Sequence, residues 1–86
     1  MRHRATQAFW KAYDALPDHI RRLADRHFTI LKSDPKHPSL HFTQTGRFWS
    51  VRIGISWRAV AINDGDDMIW FWIGSHADYD RMLQNR

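Results

Sequence analysis

The sequence of 86 residues contains no cysteine and no glutamate, and its longest apolar run is six residues. Without cysteine, disulfide bonds and thiolate metal sites are excluded. A run of six residues is far shorter than the roughly 20 that a membrane-spanning helix needs. The first residues, MRHRATQAFWK, lack the apolar stretch of a signal peptide, so we expect a single cytoplasmic domain over residues 1–86.

Positive charge is concentrated in the first part of the chain. Residues 1–58 contain eleven Lys and Arg but four Asp, whereas residues 59–86 contain two Arg and five Asp. Ten of the thirteen cations are arginine, and the planar guanidinium group suits bidentate contacts to phosphate. The uneven charge therefore favours a nucleic acid or an acidic protein as partner.

The N-terminal segment has the apolar period of two amphipathic helices. Apolar residues recur at helical spacing from Ala5 to Leu16 and again from Ile20 to Leu31, and Pro17 separates the two runs. Two prolines before residue 39 then stop helix formation. The pattern predicts an αα-hairpin that begins close to the first residue and is followed by a short loop.

From residue 39 the apolar period changes to that of β-strands. The candidate strands are residues 40–43, 48–53, 56–62 and 68–73. Because their connections are short, and one contains an Asp-Gly turn signal, they predict a four-stranded antiparallel meander. The fold class is therefore α+β, with the αα-hairpin packed on one face of the sheet and a short C-terminal helix.

The segment DMIWFWIGSHADYDRM, residues 67–82, is the most informative part of the chain. It predicts an apolar strand, a glycine break and a short helix. Ser75 and Asp78 have the S-x-x-D spacing of a capping box, in which the hydroxyl accepts the N–H of Asp78 and the carboxylate reaches back. The fixed turn presents His76 and, one helical turn later, Tyr79 at the rim of the sheet. A histidine and a tyrosine near arginines suit phosphate chemistry.

Three segments together resemble the RelE/ParE superfamily of bacterial type II toxin–antitoxin toxins. FWKAYDALPDHIRRLADRHFTILKSDPKHPSLHF is similar to the helical hairpin and first core strand of a RelE-like branch, and WSVRIGISWRAVAI to its paired central strands. MIWFWIGSHADYDRML, with W-x-G-x-H-x-x-Y in order, is similar to its terminal strand and helix. Many relatives begin with a short strand, whereas the pattern here predicts a helix from the start.

The resemblance implies a small toxin that an acidic or amphipathic antitoxin neutralises. RelE-like members are mRNA endoribonucleases that usually act in the ribosomal A site. Their central-strand arginine and C-terminal His/Tyr pair map onto Arg58, His76 and Tyr79, with Arg52 as a second catalytic cation and Arg47, Arg52 and Arg58 as RNA contacts. The expected reaction is metal-free attack of the ribose 2′-OH on the adjacent phosphate, with no cofactor.

ParE-like members, which share nearly the same fold, poison DNA gyrase instead. The chain has no glutamate base, and Lys11, Lys32 and Lys36 have no clear match to the lysines that assist catalysis in some RelE toxins. A non-catalytic gyrase inhibitor is therefore the alternative function, and a regulatory relative without toxicity is a third.

Each candidate site residue also has a structural interpretation. Arg52 could pack its stem on the sheet and pair with an aspartate. Arg58 shares its side of the strand with apolar residues, so alternation does not determine which face of the sheet Arg58 lies on. His76 could simply begin the last helix, and Tyr79 could pack that helix on the core.

Aromatic and histidine residues allow the same two interpretations. The aromatic residues that interleave with arginines are Phe48, Trp49, Trp57, Trp70 and Trp72. They could stack RNA bases, but alternation at strand spacing favours core packing. His27 falls on an apolar helix face and is expected in the core or an interface. His37 and His41 are separated by a proline, and two ligands do not suffice for zinc.

Overall fold

The computed structural model describes residues 2–84 as two layers, helices on a sheet. Its elements are β1 (Arg2–Ala5), α1 (Gln7–Asp14), α2 (Asp18–Ser33), a 3₁₀ turn (Pro38–Leu40), β2 (Thr43–Thr45), β3 (Phe48–Ile53), β4 (Trp57–Asp64), β5 (Asp67–Ser75) and α3 (His76–Gln84). The strands form one sheet in the order β1-β5-β4-β3-β2, in which β1 is parallel to β5 and the other pairs are antiparallel. Over residues 2–84, no helix is both long and apolar enough to cross a bilayer.

The predicted αα-hairpin is confirmed. Thr6 caps α1, because its Oγ1 accepts a hydrogen bond from the N–H of Phe9 at 3.1 Å. The buried residues of α2 are Ile20, Ala24 and Leu31. His27 is half-buried on the same helix, and its Nδ1 lies 2.8 Å from the carbonyl oxygen of Arg52. This contact ties α2 to the end of β3.

The core lies between the hairpin and one face of the sheet, which we call the hairpin face. Its buried residues are Leu16, Ile20, Ala24, Leu31, Leu40, Val51, Ile53, Ala59, Ala61, Met68, Trp70 and Ile73. The opposite face, which we call the arginine face, carries Phe48, Ser50, Arg52, Arg58, Val60 and Trp72. The C-terminal helix α3 packs against β4 and β5, with Tyr79 reaching the arginine face.

A strand precedes α1, so the prediction of a four-stranded meander that starts with a helix is wrong on this point. Arg2 and Arg4 pair with Asp67 at 3.2 and 3.5 Å, and the Nε1–H of Trp70 donates to Nδ1 of His3 at 3.0 Å. Asp67 lies 65 residues after Arg2 in the sequence, and Trp70 lies 67 residues after His3. A four-residue strand without a large apolar side chain gives no local pattern to detect, because long-range partners hold it.

The strand predicted over residues 40–43 is also displaced. Pro38–Leu40 form a 3₁₀ turn, which His37 caps by accepting the N–H of Ser39 at 3.2 Å. Leu40 is fully buried, so it anchors a turn rather than a strand. His41 then has a positive φ of 44°, and β2 begins two residues later.

The strand β5 contains one residue more than its partner β4. Val60 lies opposite Trp72 and Ala61 opposite Trp70, which leaves Phe71 as the extra residue of a bulge. Residues two apart on a regular strand share a face. Here the bulge directs Trp70 into the core and Trp72 onto the arginine face.

Candidate functional site

Two arginines stand directly opposite each other on the arginine face. The β3–β4 register pairs Arg52 with Arg58, and the β4–β5 register continues the row to Gly74. The face of Arg58, which alternation leaves open, is therefore that of Arg52. Like charges at opposed positions destabilise a sheet, and neither guanidinium forms an ion pair with any residue from 2 to 84. A bound phosphate would relieve this repulsion.

Two contacts hold the guanidinium group of Arg52 in place. Its Nε donates to the carbonyl oxygen of Gly54 at 3.0 Å, and its Nη1 lies 3.5 Å from Nε2 of His41. The β2–β3 register ends with Thr43 opposite Ser50, and His41 lies two residues before β2. Its contact with Arg52 places it beside the arginine pair. No local pattern in the sequence points to His41 as a site residue, because its position depends on the turn before β2.

Tyr79 supports Arg58 from below. The guanidinium carbon of Arg58 lies 5.1 Å from the centroid of the Tyr79 ring, which is close enough for a cation–π interaction. Tyr79 is 8% exposed, and its hydroxyl donates to Oγ of buried Ser50 at 3.5 Å. The Nε of Arg58 is buried without a hydrogen-bond partner among the described residues. Tyr79 is therefore a buried residue whose ring contacts the guanidinium group of Arg58.

Gly74 leaves room for a tryptophan beside this pair. A Cβ at position 74 would lie 2.7 Å from the indole ring of Trp72, closer than real contacts allow. The Trp72 ring in turn lies 6.4 Å from that of Tyr79. The glycine in the W-x-G motif therefore lets Trp72 lie flat along the strand and support Tyr79.

His76 is fixed at the first residue of α3. The N–H of Asp78 donates to Oγ of Ser75 at 3.1 Å, which confirms the predicted cap, although the Asp78 carboxylate pairs with Arg81. The backbone N–H of His76 donates to the carbonyl oxygen of Ser56 at 2.6 Å, so the corner is also tied to the β3–β4 loop.

The imidazole of His76 is open to solvent and has a carboxylate partner. Its side chain is 46% exposed, and its Nδ1 lies 3.3 Å from Oδ2 of Asp80. Its ring centroid lies 6.2 Å from that of Tyr79, which in turn contacts Arg58. Asp80 is not among the predicted site residues, although its i+4 spacing from His76 in a helix is the signal that predicts the contact.

Arg47 lies at the far end of the arginine face. Its guanidinium is 5.5 Å from the ring centroid of Phe48. Phe48 and Arg52 are the two ends of a strand segment roughly 13 Å long at the usual rise of about 3.3 Å per residue. Arg47 is therefore not brought together with Arg52 and Arg58, but it extends the positive surface along the same face.

The aromatic residues that interleave with the arginines are divided between the two faces. Trp49, Trp57 and Trp70 pack against the core, as alternation predicts. Phe48 and Trp72 lie on the arginine face, where the ring of Phe48 is 5.8 Å from that of Phe71. The group as a whole is therefore not a single stacking platform.

Side chains that ligate metals are not clustered in the described part of the chain. No group of three or more His, Cys, Asp or Glu residues there could hold a metal ion. His37 lies 2.8 Å from the hydroxyl of Ser39, and His41 contacts Arg52. These two histidines therefore face different partners.

A separate cavity of about 220 Å³ opens between α1, α2 and the hairpin face. Exposed Trp10 and Phe28 contribute to its apolar lining. At its edge the hydroxyl of Tyr13 donates to Oδ1 of Asp25 at 2.6 Å. This hydrogen bond is the main cause that raises the pKa of Tyr13, and burial is the second cause. The residues of the arginine pair and the α3 corner do not line this cavity, so it is distinct from the candidate site.

Comparison with protein families identifies one match. The model of the ParE-like toxin domain matches residues 18–81, which include the arginine pair and the α3 corner. Comparison with curated proteins finds no match.

Solved structures of toxins share the fold at low sequence identity. A chain of the RelB–RelE antitoxin–toxin complex from Methanococcus jannaschii is 14% identical, with 93% of this chain and 98% of that chain covered and a TM-score of 0.73. YafQ from E. coli is 13% identical, with 92% of this chain and 98% of that chain covered and a TM-score of 0.69. The YoeB/ParE toxin from Agrobacterium tumefaciens is 18% identical over 88% and 99%, with a TM-score of 0.67.

Proposed function

The chain belongs to the ParE-like toxin family, and we propose that this toxin cleaves messenger RNA during translation. One observation carries the proposal: Arg52 and Arg58 are opposed on one face and neither is neutralised by a carboxylate within residues 2–84. A fold that keeps such a repulsive pair gives up stability for an anion site. The imidazole of His76 lies at the adjoining corner, with its ring centroid 6.2 Å from that of Tyr79.

The reaction proposed is transfer of the phosphoryl group from the 5′-oxygen to the neighbouring 2′-oxygen. The 2′-OH loses its proton as its oxygen bonds to phosphorus, and the bond to the 5′-oxygen breaks as that oxygen gains a proton. The products are a 2′,3′-cyclic phosphate and a 5′-hydroxyl end. The protein must supply a base, an acid and positive charge for the phosphorane.

The two guanidinium groups would hold the non-bridging oxygens of the scissile phosphate. Arginine offers two parallel N–H donors, and charge-assisted bonds of this kind are stronger than neutral ones. Removing one preorganised donor to developing negative charge typically costs roughly 10²- to 10³-fold in rate.

His76 would transfer a proton in this step. The contact of Nδ1 with the Asp80 carboxylate at 3.3 Å would orient the ring and leave Nε2 as the reacting nitrogen. Proton transfer by a positioned group contributes roughly 10²- to 10⁴-fold. Tyr79 is buried, so its part is to position Arg58 and not to stack on a base. Arg47 would contact a neighbouring phosphate along the message.

Induced expression tests the proposal directly. We expect the wild-type protein to arrest growth and to produce new transcript ends inside translated reading frames. Arg58→Gln should abolish both effects, whereas Arg26→Gln, which removes the same charge from an exposed position of α2, should abolish neither. Growth arrest without new transcript ends would contradict the nuclease proposal.

Gyrase inhibition is the second candidate function. The matching family model is the ParE-like one, and none of the three lysines of the chain lies on a strand of the sheet. Lysine-assisted catalysis at the arginine face is therefore not supported. A supercoiling assay with the purified protein separates the two functions, because inhibition of gyrase without RNA cleavage favours this second one.

We also propose an antitoxin as partner. Solved relatives of this fold include RelB–RelE complexes, and the net charge of +4 favours an acidic binding segment. Coexpression with a small acidic protein encoded beside the toxin gene should restore growth, and the pair should purify as a complex.

A further inference from the structure

We propose that His41 is a second proton-transfer residue of the site and acts as the general base, while His76 acts as the general acid. This inference rests on the proposed nuclease function and deepens it. It starts from the row that crosses the arginine face, in which the register places Arg52, Arg58 and Gly74 side by side and His41 contacts Arg52 at the β2 end.

The arginine pair lies between the two histidines. His41 is at the β2 side of the row, and His76 follows the β5 end of the row by two residues. Neighbouring strands are about 4.8 Å apart, so the three paired positions from Arg52 to Gly74 span roughly 10 Å of backbone, and His41 lies beyond Arg52. Side chains reaching inward from both ends leave room for one phosphate on the guanidinium groups in the middle.

The reaction requires groups on both sides of the phosphorus. In an in-line displacement the attacking 2′-oxygen and the leaving 5′-oxygen lie on opposite sides of phosphorus. A base for one and an acid for the other must therefore also lie on opposite sides. A single imidazole at the α3 corner serves only one of these oxygens, and His41 supplies the group on the other side.

The backbone presents the His41 ring to this row. Leu40 is fully buried in the core and Phe42 packs on Trp49, with ring centroids 4.8 Å apart, whereas the His41 ring reaches Arg52. His41 has a φ of 44°, and it is the one residue besides glycine with a positive φ among those described. Such strained backbone recurs at functional sites.

The contacts of the two imidazole rings assign the roles of base and acid. Nε2 of His41 faces the N–H of Arg52 at 3.5 Å, so this nitrogen is held as an acceptor, the state that a base requires. Nδ1 of His76 lies 3.3 Å from the Asp80 carboxylate, an anionic partner that suits the proton donor of the pair. Arg52 turns to the phosphate when RNA binds and frees Nε2 of His41.

In the proposed step the proton count balances. His41 takes the proton of the 2′-OH while the bond from that oxygen to phosphorus forms. The bond from phosphorus to the 5′-oxygen breaks, and His76 gives its proton to that oxygen. The step ends with His41 protonated and His76 neutral, and exchange with water resets both.

The test uses two versions of one short message bound to ribosomes, with an oxygen or a sulfur atom at the 5′-bridging position of the cleaved linkage. Sulfur leaves without protonation, so it removes the need for an acid but not for a base. His41→Asn should lower the single-turnover rate roughly 10²- to 10⁴-fold on both messages. His76→Ala should lose a similar factor on the oxygen message and recover most of it on the sulfur message. Asparagine tolerates positive φ, so the turn should be kept.

Controls separate chemistry from folding and from binding. His19→Asn, at an exposed position of α2, should cleave like the wild type. His41→Asn should unfold at the wild-type temperature and should bind a message with a 2′-deoxyribose at the cleavage position as tightly as the wild type. Added imidazole should restore part of the activity of His41→Gly.

Three results would overturn this inference. They are a His41→Asn rate within threefold of wild type, recovery of His41→Asn on the sulfur message, or a loss explained wholly by weaker binding. If the wild-type protein cleaves neither message, the proposed function itself fails and the inference fails with it.

Discussion

Arg52 and Arg58 face each other across β3 and β4, and no carboxylate in the described chain pairs with either of them. Their repulsion should be measurable in a double-mutant cycle of Arg52→Gln and Arg58→Gln. Opposed like charges cost about 0.2–1 kcal/mol, so the unfolding free energy should show a repulsive coupling of that size. Urea denaturation in low salt measures it, and an attractive coupling would show that the pair is not the strained anion site described above.

Substitutions of Tyr79 should distinguish a supporting role of its ring beneath Arg58 from a chemical role of its hydroxyl. Tyr79→Phe keeps the ring under Arg58 and removes only the hydrogen bond to Ser50, so we expect a loss of about 0.5–1.5 kcal/mol of stability and activity within a fewfold of wild type. Tyr79→Ala should cost about 3–5 kcal/mol, as removal of a buried ring does. A Phe variant as inactive as Arg58→Gln would instead assign a chemical role to the hydroxyl.

Gly74 and Trp72 should be energetically coupled. Gly74→Ala places a Cβ 2.7 Å from the Trp72 indole, and such overpacking typically costs about 1–3 kcal/mol. Trp72→Leu removes the atoms that clash, so the double variant should be more stable than the sum of the single losses predicts. Thermal unfolding of the four proteins measures this, and additive losses would place the strain elsewhere.

His3 should make stability depend on pH. Burial is the main cause that lowers the pKa of His3, and nearby positive charge, including that of Lys32, is the second cause. The Nδ1 atom of His3 accepts a hydrogen bond from the indole N–H of Trp70. A lowered pKa in the folded state means that the contribution is present above the unfolded value of about 6.5 and is lost as the pH falls through the folded value.

His3→Gln keeps an acceptor for Trp70 but does not titrate in this range. The stability difference between wild type and His3→Gln should therefore shrink between about pH 7.5 and pH 5. Chemical denaturation at several pH values gives this difference. A difference that grows on acidification would mean that the protonated imidazole is the favoured form in the folded protein.

Local patterns predicted the elements that local interactions determine. The periodicity of α2, the alternation of β3 and the cap at Ser75 are all confirmed, because each depends on neighbours within a few residues. The strand β1 was missed, since Asp67 and Trp70 hold it from the other end of the chain.

The candidate site was predicted in part for the same reason. The motif identified Arg58 and His76, but the face of Arg58 depends on its register with Arg52. His41 reaches Arg52 from the end of the 3₁₀ turn that Leu40 anchors, so its position depends on how that turn packs. Register joins residues far apart in sequence, so single-sequence periodicity does not contain it.

The most direct test of the account is cleavage by the purified protein of messages on translating ribosomes, with the chemistry of the new ends identified. We predict 5′-hydroxyl and 2′,3′-cyclic phosphate ends within reading frames, formed by the wild type and roughly 10²-fold or more slowly by Arg58→Gln. Intact messages with the wild-type protein, or equal cleavage by Arg58→Gln, would contradict the account.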